Sequence, residues 1–141
     1  MTDNWGRWGE DDQRGTLNHI DETVVQMAAG LVVQGRVLSL AQTIFAGMTI
    51  PGHRAGVMHF MGRDGGDYAS GRRRPGGFQV AEDTIVMPIH AGTHMDALCH
   101  CWRDDTLFNN VSQNEVRSNG AARLGIDAAG PVVTRGVLLD F

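Results

Sequence analysis

Three of the six histidines of the chain and one aspartate fall in a single run, His90-Ala91-Gly92-Thr93-His94-Met95-Asp96-Ala97-Leu98-Cys99-His100. Nitrogen and oxygen donors brought to about 2.0–2.2 Å around one point bind divalent metals, and two imidazoles with a carboxylate form a recurrent set that leaves coordination positions open for water. His90, His94 and Asp96 supply that set. Gly92 argues against a continuous helix here, so His90 and His94 are expected to meet across a tight turn, whereas His94 and Asp96, two apart, share a face of an extended segment. His100 remains as a neighbouring imidazole, the side chain suited to moving protons near neutral pH. One such histidine alone reads as a hydrogen-bonded turn residue; the four donors together read as a metal pattern.

The elements that must position these groups follow from periodicity. A strand over 84–89, carrying Ile85, Val86 and Ile89, delivers the chain to His90. Before it, 77–81 with Phe78 and Val80 is a second strand or the first half of one bent strand, interrupted by Glu82-Asp83. Upstream, Val24, Val25, Met27, Ala28, Leu31 and Val32 recur at helical spacing over 21–34, with Asp21 and Glu22 at the positive end of the helix dipole and Gly35 placed to stop it. A strand over 36–42 follows the helix. A short strand over 57–61, a turn at 63–67, a short helix around 121–129 and a final strand over 136–141 complete the pattern. The opening segment, 1–20, holds Trp5 and Trp8 among turn formers without a period and reads as an ordered loop that covers a surface.

Composition bounds the classes of function. The chain has 141 residues, about one domain's worth, with 42% hydrophobic and 20% charged residues, enough to build a packed interior. All 12 cations are arginines against 16 acidic residues, a net charge of −4 that lacks the basic surplus of a nucleic-acid binder. The longest apolar stretch, 27–33, is interrupted by Gly30 and falls far short of the ~20 residues that cross a bilayer. No basic, then apolar leader opens the sequence, and Cys99 and Cys101 are too close in sequence to staple a fold. A single domain over 1–141 in the cytoplasm, without nucleic-acid or membrane partners, is the expectation. Because the last residues read as an apolar strand with no polar tail, the chain is also expected to be the front part of something longer.

The pattern His90-x-Gly92-Thr93-His94-x-Asp96-x-x-x-His100 resembles the signature of the metal-dependent cyclase-like hydrolases, the family that includes bacterial kynurenine formamidase and isatin hydrolase. Trp5-Gly6-Arg7-Trp8-Gly9-x-Asp11-Asp12-Gln13-x-Gly15-Thr16-Leu17-Asn18 resembles the opening of the longer members. So do Gly35-Arg36, the strand and turn from Asp83 to Asp96, and Arg135-Gly136-Val137-Leu138-Leu139-Asp140. The resemblance implies an α/β (mixed) fold, a cyclase-like swivelling β/β/α domain with a mostly antiparallel sheet and flanking helices, incomplete at its C-terminal end. It implies His90, His94 and Asp96 as ligands to zinc or manganese, Asp96 bridging where two metals bind, and His100 as general acid/base. The implied reaction is hydrolysis of a C–N bond in a cyclic amide or aryl formamide by a metal-activated water, on a small-molecule substrate and in a homo-oligomer.

Thr93 is a candidate to hydrogen-bond the ligand shell. Trp5, Trp8, Phe60 and Trp102 either grip a flat substrate or pack a core or lid. The family's further His and Glu ligands lie beyond the matching point: no His follows His100, and Glu115 is not in the matching context. Cys99 and Cys101 flank His100, as small apolar residues or as compensating thiolates. The alternative reading is a non-catalytic family member that binds at most one metal ion. A facial-triad iron oxygenase would need a distal His that the sequence lacks.

Overall fold

The strand that leads toward His90 is Glu82–Val86 (β2), and it pairs antiparallel with Met58–Arg63 (β1) in the computed structural model, which describes residues 3–140. Met58 faces Val86 and Phe60 faces Thr84, with a register shift between Met61 and Arg63. The expected strand over 77–81 is absent from the ladder. The hydroxyl of Tyr68 donates to the carbonyl of Val80 at 2.6 Å and accepts from its amide at 2.8 Å, so a side chain satisfies the backbone groups that a neighbouring strand would otherwise have paired.

The expected turn at 63–67 is the start of a helix, Gly65–Ala69 (α2). Asp64 caps it by accepting from the amide of Gly66, and the carboxylate of Asp67 accepts in return from the amide of Asp64 at 3.1 Å. An Asp-Gly-Gly run that reads as a turn is here an N-cap with a capping box. Met48, Val57, Tyr68 and Ala91 are the buried apolar residues of this unit, Leu38–His94.

The second compact unit comprises Met1–Val37 and Met95–Phe141. Its helix Glu22–Gly30 (α1) starts where the sequence predicts, with Asp21 accepting from the amide of Val24 at 2.9 Å. It ends at Gly30, short of residue 34, where glycine and the β-branched pair Val32-Val33 weaken helical propensity. Two short antiparallel pairs follow: Thr106–Leu107 (β3) with Val111–Ser112 (β4), and Val116–Arg117 (β5) with Gly120–Ala121 (β6). The helix expected around 121–129 contracts to Ile126–Ala129 (α3), because residues 120–121 are taken into β6. Leu107, Val111 and Leu124 form the core, with Cys99, Phe108 and Val116 packed against it.

All the described ladders are antiparallel, in three two-stranded sheets rather than one larger sheet. The strands expected over 36–42 and 136–141 are not ladder members among the described residues, and residue 141 lies outside these. Their side chains are exposed, with Leu40 at 82% and Leu138 at 89%. Alternation makes a segment fit to be a strand; only a hydrogen-bonding neighbour makes it one. No described helix is long and apolar enough to cross a membrane.

Candidate metal centre

The boundary between the two units, at His94 and Met95, falls inside the histidine-rich window, so each half of it is built by its own unit. In the first half the chain leaves β2, passes Pro88 and turns at 89–93. The guanidinium of Arg54 donates to the carbonyl of His90, and the amide of Ala91 donates to the carbonyl of Ile89 at 2.9 Å. Gly92 has φ +68°, the left-handed conformation that glycine adopts without strain, and a Cβ there would stand 3.4 Å from Cε of Met48. Thr93 donates its hydroxyl to the carbonyl of Leu40 at 2.7 Å, a backbone contact that anchors the turn.

This turn brings the imidazoles of His90 and His94 together edge to face, with ring centroids 5.3 Å apart and planes inclined at 69°. Nδ1 of His94 lies 2.9 Å from the carbonyl oxygen of Gly92. A carbonyl only accepts, so Nδ1 carries the proton and the lone pair of the neutral ring resides on Nε2. That is the usual arrangement of a metal-ligating histidine, whose second nitrogen donates to a backbone carbonyl or carboxylate.

In the second half, the amide of Cys99 donates to the carbonyl of the fully buried Leu124 at 3.1 Å, and the amide of His100 closes a turn on Ala97 at 3.0 Å. The segment is thereby fastened to the core of its unit. Across that turn Nε2 of His100 lies 4.0 Å from Oδ2 of Asp96. Asp96 is exposed and His100 half-buried. Each half thus offers donors of the kind that bind divalent cations, within its own unit: the imidazoles of His90 and His94 in the first, the carboxylate of Asp96 and the imidazole of His100 in the second.

The aromatic candidates separate. Trp5 and Trp102 line an open groove of about 530 Å³ together with Phe108, Cys101, Arg103 and Asn110. The indole NH of Trp102 donates to Oε1 of Gln113 at 3.0 Å, and Gln113 in turn donates to Asp105. Trp8 instead packs edge-on against His19, with the guanidinium of Arg7 5.1 Å from its ring centre. Phe60 is exposed on β1, in the other unit. His59, also on β1, pairs with Asp83 at 2.7 Å, so its partner is a cross-strand carboxylate.

Two side chains to which the sequence assigns no specific role hold the opening loop. Asp12 accepts from the amides of Arg14 and Gly15 and from Nδ2 of Asn18. Desolvation pushes its pKa up, but these hydrogen bonds and the charge of Arg14 together outweigh it and hold the carboxyl below its ordinary range. Asn109, from the β3–β4 connection, reaches the same loop. An Asp-x-x-Gly pattern signals the first locally; nothing near residue 109 signals the second.

The fold and site define a mixed α/β protein with antiparallel pairings and a histidine-carboxylate turn. A family model described as "Putative cyclase" matches residues 38–141, and the chain belongs to this Cyclase family. Among solved structures it is similar to one described as the crystal structure of a novel cyclase, with a TM-score of 0.82 and 37% identity. That match covers 89% of this chain and 42% of the other, so the chain spans less than half the length of the cyclase it resembles. No curated protein matches it.

Proposed function

We propose that the chain carries the metal-binding part of a hydrolase that opens the C–N bond of a cyclic amide or an aryl formamide, using zinc or manganese held by His90, His94 and Asp96. The observation that carries this reading is the His90–His94 pair, in which the Gly92 carbonyl fixes the tautomer of His94 so that Nε2 is the donor. Membership of the Cyclase family and the similarity to a solved cyclase support an enzyme. When bound, the cation would polarise the substrate carbonyl and lower the pKa of a coordinated water.

The chain's own residues supply the rest. Thr93, Arg54 and Gly92 hold the turn from which the two imidazoles project. His100, its Nε2 4.0 Å from the Asp96 carboxylate, would take a proton from the attacking water and return it to the leaving nitrogen. The groove between Trp5 and Trp102 offers apolar walls to a flat ring.

Hydrolysis of formanilide and of isatin by the zinc- or manganese-loaded chain, measured beside His100→Ala, tests the proposal. Loss of about 10²-fold or more in kcat for the variant is expected from removal of a general acid/base. Equal rates for both proteins contradict the role of His100. Metal uptake without turnover of either substrate points instead to a non-catalytic, metal-binding chain.

A further inference from the structure

We infer that Asn109 is a positioning residue that sets Trp5 as one wall of the aromatic groove; the inference rests on the groove being the substrate seat proposed above. Asn109 lies about a hundred residues from the loop it holds, yet its carboxamide makes hydrogen bonds to both sides of that loop. Oδ1 accepts from the amide of Gly6 at 2.6 Å, and Nδ2 donates to the carbonyls of Gly9 at 2.8 Å and Glu10 at 3.0 Å. Only a carboxamide offers an acceptor and two donors from one planar group of this size. Asn109 adopts φ +60°, a left-handed backbone that asparagine tolerates better than most residues, and this kink carries its side chain toward the loop.

The chain neighbours of Asn109 show what the contact positions. Phe108 and Asn110 both line the groove, and Trp5, which immediately precedes Gly6, faces it from the loop. Trp5 has no hydrogen bond from its own indole among those described, and its backbone amide is held by Asp3 at 3.2 Å. Its place on the rim therefore depends on the backbone at Gly6, which Asn109 fixes. Further along, the loop is anchored separately, by Gln13 accepting from the amide of Leu124 at 2.8 Å and by Arg14 donating to the carbonyl of Ala129 at 3.3 Å. Loss of the carboxamide would release residues 4–10 while the 13–14 anchor and the core remain.

A double-mutant cycle on the full, metal-loaded chain reads this directly, with formanilide as the probe. Asn109→Gly removes the carboxamide and keeps the left-handed backbone without strain. We expect KM for formanilide to rise about tenfold with kcat changed by less than about twofold, because a ring contact is lost and the chemistry is untouched. In a Trp5→Ala background the same substitution should change KM by less than about twofold, since a residue that acts through Trp5 has nothing left to position. An unchanged KM in Asn109→Gly, or an equal rise with and without Trp5, overturns the inference. Should Asn109→Gly fail to fold, Asn109→Asp, which keeps the acceptor for Gly6 but loses both donors, is read in the same cycle. If the wild-type chain binds formanilide without hydrolysing it, the hydrolase reading fails by itself and the cycle is read in Kd by tryptophan quenching. A wild-type chain that neither hydrolyses nor binds formanilide overturns the positioning role as well.

Discussion

The Tyr68 hydroxyl and the backbone of Val80 form a reciprocal pair, donating and accepting at 2.6 and 2.8 Å. The pair fastens the stretch before β2 to α2, and β2 is the strand that feeds the His90 turn. Tyr68→Phe keeps the buried ring and removes only the oxygen. It is expected to destabilise the chain by about 1–3 kcal/mol, because both the amide and the carbonyl of Val80 lose a partner at a part-buried site. Chemical denaturation of the two proteins, at unchanged m-value, measures it.

Asp12 is expected to make the stability of its unit sensitive to acid. Its carboxyl is held below the ordinary carboxylate range by its hydrogen bonds and by Arg14, so its contribution is present in full above the unfolded pKa of about 4 and is lost as pH falls through the lower, folded value. Asp12→Asn should therefore lower Tm at pH 7, and the gap from wild type should shrink in the acid range below about pH 4. A gap of equal size at pH 7 and at pH 2.5 would show that the charge of Asp12 has no part in it.

Gly92→Ala should weaken metal binding more than it weakens the fold. A Cβ at φ +68° costs about 1–2 kcal/mol of backbone strain. Relief of that strain moves the carbonyl that orients Nδ1 of His94. Calorimetric titration with zinc, beside a thermal melt, is expected to show a loss of affinity in a protein that still unfolds cooperatively.

Which features were legible in the sequence depended on how far apart their partners lie. The start of α1 is signalled by Asp21 one residue before it, so local reading finds it, and the residue types of His90, His94, Asp96 and His100 stand out as a metal pattern because they sit in one window. Asp64 reads as part of a turn because an N-cap and a turn use the same residue types, and only the reciprocal bond accepted by Asp67 tells them apart. The segments 36–42 and 136–140 alternate like strands, but pairing is a property of two segments and the period of one does not reveal it. Tyr68 with Val80, and Asn109 with the opening loop, join distant or irregular stretches whose sequences carry no mark of each other.

The metal site is tested most directly by the stoichiometry of zinc bound by the chain and by its His94→Ala and Asp96→Ala variants, measured by calorimetric titration and elemental analysis after gel filtration. About one equivalent is expected to be retained by the wild type, with a marked loss in each variant, as when a first ligand is removed. Retention of less than about half an equivalent by the wild type, or equal retention by all three proteins, would contradict the proposed site.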